Sequence, residues 1–415
     1  MEPTRHKFNI LKQVMDKIPP YLVGKLAHKY GCDKKSRSFS PWSHVVTMVY
    51  AHLAHSLGLN DIADSLRHHS GSLSTIRGAT APSRNGLSHA NMVRSADMAE
   101  ALFWETLSDL QKEYPNFGMG RNYCGFPAKF KRIINVIDST TIKLVANCMD
   151  WAKHRRRKAA AKCHMRLDLQ TFLPRFAVVK TAGTHDSTEA RVLCAEIRAG
   201  EIVVFDKAYI DFKHLKELTD RGVFWVSRAK DNMSYTVIKR NKHKGDVKKD
   251  VIIRLQGYKA RNDYPVTMRM ITARVEVDGK MVILTFLTNN MEWSATSICD
   301  LYKGRWGIEV FFKQMKQTLQ LGDFLGYSEN AVRWQVWTAL LTYVLLRLIS
   351  YIGKWKDSFA RLFTAIRGVL WSRYDLLSLL NGCCGTAHAP PRMILSVEQL
   401  YFPGFEVKNY GTARV

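Results

Sequence analysis

The sequence predicts an α/β protein: a mixed sheet flanked by helices, interrupted by a β-rich insertion, with helical regions at both ends. Three observations carry that expectation. Apolar residues recur at helical spacing through about residue 115. Two Val- and Ile-rich runs, "RIINVIDST" and "EIVVFDKAYID", then appear without polar alternation, the pattern of strands covered on both faces. A denser set of β-rich runs fills residues 222–290 before helical spacing returns.

Taken in order, "SHVVTMVYAHLAHSLGLNDIADSLRHH" has helical spacing, and "GATAPSRNG" breaks it. "SHANMVRSADMAEALFWETLSDLQKEY" starts a second helix with Ser88 as its N-cap. Two helices around a basic turn permit a helix-turn-helix, and a plain bundle fits the pattern equally well. The strands follow, each apolar run ending in an aspartate, Asp138 and Asp206. "LDLQTFLPRFAVVKTAG" supplies further strands of the same sheet. Within the β-rich block, "EVDGKM" places Asp278-Gly279 as a tight hairpin turn, and "KRNKHKGDVKK" is a densely basic loop. The chain is then helical to about 381, with an irregular tail.

The regions divide as 1–120, helical; 121–221, the first part of a core; 222–290, the β-rich insertion; 291–345, the second part of the core; and 346–415, a helical region and tail. Two or three domains suit 415 residues. With 62 basic against 36 acidic residues the net charge is +26, a field that suits a polyanion. Nucleic acid is the commonest polyanion, an anionic membrane surface its competitor.

The most apolar run, "WQVWTALLTYVLL" (334–346), is 13 residues long and reads as a buried core helix. The N-terminus lacks the pattern of a signal peptide, so a cytoplasmic, nucleoid-associated protein is expected. The eight cysteines show no C-x-x-C spacing and read as reduced, mostly buried thiols. No P-loop or dinucleotide fingerprint occurs, so no nucleotide cofactor is implied.

The stretch "YKGRWGIEVFFKQMK" reads as one helix, Tyr302 to Lys316. At about 100° per residue, Tyr302, Arg305, Glu309 and Lys316 fall within an arc of roughly 60° at the margin of its apolar stripe. Such a row is either a site or an ordinary charged border. Asp138, Asp206 and Glu309 then stand out as three carboxylates able to hold hard divalent cations. Phosphodiester chemistry has a use for such a set, since two metal ions can serve the attacking and leaving oxygens.

"NVIDSTTIKL", "VVFDKAY" and the Y-(2)-R-(3)-E-(6)-K spacing of Tyr302, Arg305, Glu309 and Lys316 resemble the DDE transposases of the insertion-sequence-4 family. The resemblance runs from about 130 to 330. It implies a ribonuclease-H-like catalytic fold with a β-rich insertion before the last acid. It makes Asp138, Asp206 and Glu309 the catalytic, metal-binding triad for two Mg²⁺ ions, with Mn²⁺ able to substitute. Tyr302, Arg305 and Lys316 become DNA contacts near the cleaved end. Lys207 stands where many relatives carry arginine in "DRAY" or "DRGY"; it keeps the charge without the bidentate fork. Some relatives stack a flipped base on a tryptophan of the insertion. Trp225 and Trp293 are only candidates here, since neither carries a specific motif, and a buried core role is the preferred reading of each.

The implied activity is a DNA transposase that binds terminal inverted repeats, cuts, and joins a 3′-hydroxyl to target DNA, working as a homodimer in a synaptic complex. An endonuclease that cuts without joining, and a non-catalytic DNA-binding derivative, are the alternatives. "KHRRRKAAAKCHMR" (153–166) is expected to face DNA as a basic segment. His164, Asp168, His185 and Asp186 are candidates to support the triad. His185, Asp186 and Glu189 also read as a turn or helix cap. Asp150 rivals the triad only weakly, having no strand before it.

Overall fold

The computed structural model describes residues 4–34, 36, 38–56, 58–117, 130–144, 153–155, 158–181, 186–277, 280–319 and 325–383. Its first region is helical, as the spacing predicts: α1 (Ile10–Met15), α2 (Leu22–Lys29), α3 (Pro41–Ala54), α4 (Leu59–His68), α5 (Ser70–Ser74), α6 (Arg84–Val93) and α7 (Ala96–Glu113). The predicted cap at Ser88 is displaced. Ser83 caps α6 by accepting from the Gly86 amide, which puts Ser88 inside that helix. The expected single helix from Ser88 onward is also two. Asn330 donates to the Asn91 and Arg94 carbonyls and accepts from the Ala96 amide, satisfying the groups exposed where the chain breaks.

The sheet has ten strands among the described residues: β1 (Ile134–Leu144), β2 (Lys153–Arg155), β3 (Lys158–Asp168), β4 (Pro174–Thr181), β5 (Ile202–Phe205), β6 (Phe224–Arg228), β7 (Tyr235–Arg240), β8 (Val247–Leu255), β9 (Met268–Val277) and β10 (Lys280–Thr288). Their order is β2-β3-β1-β5-β6-β10-β9-β8-β7, with β4 also paired to β3. β1 pairs antiparallel with β3 and parallel with β5, and β5 pairs parallel with β6. This antiparallel-then-parallel order, β4-β3-β1-β5-β6, is the ribonuclease-H-like arrangement. The strands of the 222–290 block extend the same sheet through β10 on β6. Phe224–Arg228, inside that block by sequence, is thus a partner of the core strand β5. The β9–β10 hairpin closes with Val277 opposite Lys280; the turn residues 278 and 279 lie outside the described residues.

Side chains alternate across the sheet. Val136, Ile202, Val204 and Val226 face one apolar cluster, and Ile137, Val203, Phe205 and Trp225 face another. Both faces are therefore covered, which is why these strands lack polar alternation. One cover is α8 (Asp186–Cys194) with α9 (Phe212–Asp220). The other contains α11 (Ala295–Gly304) and α12 (Trp306–Lys313), reached after the short α10 (Tyr258–Asp263). The apolar run at 334–346 lies within α13 (Glu329–Ile352), long and apolar enough by composition to cross a membrane, but 78% of its most apolar window is buried against protein. Trp334 and Trp337 are essentially fully enclosed in it, and the Trp334 Nε1 donates to the Arg94 carbonyl at 2.7 Å. Two shorter helices, α14 (Phe359–Arg367) and α15 (Leu376–Gly382), follow. The expected tail lies outside the described residues from 384 onward.

Candidate active site

Two of the three acids meet through strand register. β1 and β5 pair from Ile134 with Ile202 to Ile137 with Phe205, so the next step places Asp138 beside Asp206. By alternation both share a face with Val136 and Val204, the face covered by α11 and α12. The expectation that each aspartate ends its strand holds for Asp206 alone. β1 runs on to Leu144, through Ser139, Thr140 and Thr141, because these residues pair with β3. Asp138 therefore stands within a strand, its backbone already fixed by neighbours.

Glu309 arrives from the helical side, where the predicted straight helix is broken. Arg305 is both the last cap of α11 and the first cap of α12, and a π-helical turn, Gln314–Thr318, follows α12. Arg305 keeps helical dihedrals at this junction, and it and Tyr302 both reach acids of the sheet. Arg305 donates one terminal nitrogen to Asp138 Oδ2 at 2.6 Å and the other to Glu309 Oε1 at 2.8 Å. The Tyr302 hydroxyl donates to Asp206 Oδ1 at 3.0 Å. Tyr302 and Arg305 are buried, so the two residues expected to contact DNA are tied to the triad acids. Burial pushes the Asp138 carboxyl up to about 6, with Arg305 acting in the opposite sense. The same burial raises the Tyr302 hydroxyl well above its ordinary range.

Lys316 sits on the π turn and donates to the Thr141 carbonyl at 2.8 Å, three residues beyond Asp138 on β1. Lys207 opens a short 3₁₀ turn after Asp206 and pairs with the exposed Asp231 at 3.1 Å. Register also puts Arg228 of β6 beside Asp206, one step past the Phe205–Ser227 pair. No sequence signal marked Arg228, because its adjacency comes from pairing across 22 residues of chain.

A family model described as a transposase DDE domain matches residues 129–345, more than half of the chain. The chain belongs to the DDE transposases. A second model, a domain of unknown function (DUF4372), matches residues 6–76. The chain is 31% identical to a putative transposase, y4zB, of Sinorhizobium fredii, over 60% of this chain and 70% of that one. It is 29% identical to a probable transposase for insertion sequence element IS5377 of Geobacillus stearothermophilus, over 53% and 57%. It is 27% identical to the transposase InsG for insertion sequence element IS4 of Escherichia coli, over 44% and 42%. A solved piggyBac transposase synaptic complex with hairpin DNA has 11% identity and a TM-score of 0.43, covering 91% of this chain and 80% of that one.

This DDE transposase arranges its supporting residues differently from the sequence expectation. His164 alternates with Cys163 and Met165 and so lies on the face opposite Asp138. Asp168 is spent on the β3–β4 turn, accepting from the Gln170 amide and pairing with Arg175 at 2.7 Å. The basic segment 153–166 is neither loop nor helix where described: it forms β2 and β3. His185 and Asp150 lie outside the described residues, and Asp186 begins α8. Trp225 is core, fully buried with its Nε1 donating to Thr219. Trp293 lines an open cavity of about 540 Å³ with Phe130, Lys131 and Arg132, at the entry of β1 rather than at the acids.

Among the described residues, no three Asp, Glu, His or Cys side chains already converge on one point. Arg305 explains this for the triad, since its guanidinium fills the gap between Asp138 and Glu309. The donor set nevertheless fits a hard divalent ion: all carboxylate oxygen from three acids, two of which already draw a guanidinium between them.

Proposed function

We propose that this chain is a cut-and-paste DNA transposase that binds the terminal inverted repeats of its element, with Asp138, Asp206 and Glu309 holding two Mg²⁺ ions. The observation supporting it is the in-register pair Asp138–Asp206 joined to Glu309 through Arg305 on one covered face of the sheet. When bound, the ions lower the energy of the attacking and leaving oxygens of the phosphodiester. The protein's part is positional. β1 and β5 fix two carboxylates with ladder hydrogen bonds, and the α11–α12 break fixes the third.

Arg305 bridges Asp138 and Glu309 and neutralises part of their charge, while the Tyr302 hydroxyl donates to Asp206. Asp138 and Glu309 would hold the metal, and the Arg305 guanidinium between them would be placed to meet a phosphate at the cut end, a charge-assisted contact suited to its fork. Lys316 braces the π turn against β1 and places a second cation nearby. Strand transfer needs no nucleotide cofactor, since one phosphodiester is exchanged for another. Joining two element ends and a target implies a homodimer in a synaptic complex.

The test is incubation of the protein with terminal-repeat DNA, target DNA and Mg²⁺ or Mn²⁺. Joined products support the reading. Cuts without joining would reduce it to an endonuclease, and bound but uncut DNA would reduce it to a binding protein.

A further inference from the structure

Several basic side chains at this protein's surface face an acid. Lys12 pairs with Asp16, Lys25 with Glu105, Lys112 with Asp109 and Lys216 with Asp220. The β7–β8 hairpin departs from that pattern. Lys239, Arg240, Lys242, Lys244 and Lys248 are all exposed on it, and among the described residues none forms an ion pair with an acid. Mutual repulsion of that many unpaired cations is tolerated only in water or against a polyanion.

The base of this hairpin is rigid. Asn241 donates its backbone amide to the Asp250 carbonyl at 2.9 Å and its side-chain amide to Asp250 Oδ1 at 3.0 Å. Asp250 is in turn held by Arg269, whose other terminal nitrogen donates to the Trp293 carbonyl just before α11. The basic tip is thus mounted on the same framework that carries Tyr302 and Arg305.

Register fixes where the tip stands. One row of paired residues crosses the sheet from Phe205 through Ser227, Leu287, Met270 and Val251 to Arg240. Asp206 is the next residue after Phe205, and Asn241 the next after Arg240, so the acids and the hairpin tip leave the row at matching levels. Five strand steps separate them, roughly 24 Å at about 4.8 Å per step.

We infer that the β7–β8 hairpin is a second grip on DNA, holding the phosphates of the duplex roughly seven base pairs from the bond cut at Asp138, Asp206 and Glu309. At about 3.4 Å per base pair that is the duplex length spanning the row. The partner is continuous duplex flanking the cut end, read through its phosphates and without base specificity. The inference rests on the transposase reading above and adds a distance to it.

The experiment crosses protein and DNA length. Wild-type protein and a variant with Lys239, Arg240, Lys242, Lys244 and Lys248 all changed to Gln are first matched by thermal melting. Each is then titrated with terminal-repeat duplexes trimmed toward the cut end, from about twenty base pairs to about four. The wild type should lose affinity at least tenfold once trimming passes about seven base pairs. The variant should start weaker on long duplex and lose less than about threefold on trimming, with a shallower salt dependence. Equal losses for both proteins would overturn the hairpin grip while leaving the transposase reading intact. A wild type that neither binds nor cuts terminal-repeat DNA of any length would overturn both. Binding to anionic vesicles that the variant loses, with an unchanged response to trimming, would assign the patch to a lipid surface and overturn the inference.

Discussion

Two arginines are buried among carboxylates in this sheet, and they differ in how completely they are matched. Arg269 meets one acid, Asp250, through Nε at 2.9 Å and a terminal nitrogen at 2.7 Å, while its third nitrogen donates to the Trp293 carbonyl. Both side chains are nearly sealed, at 6% and 2% exposure. Arg305 instead spreads two nitrogens over two acids, Asp138 and Glu309, and its buried Nε has no partner. A third acid, Asp206, receives only the Tyr302 hydroxyl. One guanidinium is thus divided between two carboxylates, with Arg228 placed by register beside the third. The first cluster matches one acid to one guanidinium and is closed; the second is shared and more open, with Asp138 at 18% and Glu309 at 31% exposure.

The titration of the two clusters follows the same contrast. Burial raises the Asp250 carboxyl, but hydrogen bonds from Arg269 and Asn241 outweigh it, so it lies below its ordinary 3.8. Its stabilisation is complete above that unfolded value and is lost as pH falls through the lower folded one. Asp138 goes the other way, to about 6, because burial outweighs its share of Arg305. Strongly shifted carboxyls of this kind concentrate at functional sites.

The largest test of this contrast is loss of the open cluster's acids. Asp138→Asn, Asp206→Asn and Glu309→Gln should each lower Mg²⁺-dependent cleavage by at least about 10²–10³-fold, the scale of losing a group that stabilises developing charge. Folding and repeat binding should persist. Near-normal cutting by Glu309→Gln in a gel assay would remove that residue from the site.

The closed cluster should respond in the opposite currency. Asp250→Ala leaves Arg269 buried without its acid, a loss of about 3–5 kcal/mol in stability read by denaturant unfolding. Cleavage per folded molecule should change little. A comparable loss of activity with unchanged stability would mean that Asp250 belongs to the chemistry and that the two clusters are not different in kind.

Arg305 separates the clusters on a finer scale. Hydrogen bonds to charged groups are worth about 1.5–3 kcal/mol each, and a metal held as proposed would have to displace them at Asp138 and Glu309. Arg305→Ala should therefore bind Mg²⁺ roughly ten- to a hundredfold tighter by calorimetry, while its metal-free melting temperature falls. Cleavage should drop even so, since the cation meant for phosphate is gone. Unchanged Mg²⁺ affinity would show that Arg305 does not stand in the ions' way.

The sequence exposed these acids unevenly. Asp138 and Asp206 were legible because each follows a run of Val and Ile too apolar to face water. Their adjacency was not, since parallel pairing of β1 with β5 is set by contacts between residues 68 apart. The row of Tyr302, Arg305, Glu309 and Lys316 was legible at helical spacing. Its true geometry includes a junction at Arg305, between Gly304 and Gly307, that the helical spacing alone does not mark. The helix cap was misplaced from Ser83 to Ser88 because both serines precede helical spacing, and only the Gly86 amide bond distinguishes them. The basic loop at 239–249 was visible as charge; its place on the register row required the whole sheet.

The smallest effect tests whether the row on α11, α12 and the π turn has two sides. Lys316 is half-buried, and its ammonium donates to the Thr141 carbonyl at 2.8 Å, fastening the turn after Glu309 to the strand that carries Asp138. Lys303 is exposed on α11, one residue from Tyr302 but directed to solvent. Lys316→Ala removes a charged donor and a local cation, so cleavage or end binding should fall about tenfold, the lower end of what such a bond is worth. Lys303→Ala changes only surface charge and should stay within about 0.5 kcal/mol, roughly twofold. Both variants are compared at equal folded fraction, by circular dichroism and then by cleavage kinetics at low salt. If Lys303→Ala is as damaging as Lys316→Ala, attraction of DNA to overall positive charge accounts for both, and the bond to Thr141 carries no weight of its own. If only Lys316→Ala suffers, and Lys316→Arg restores part of the rate, the π turn holds a cation where the open cluster meets its substrate.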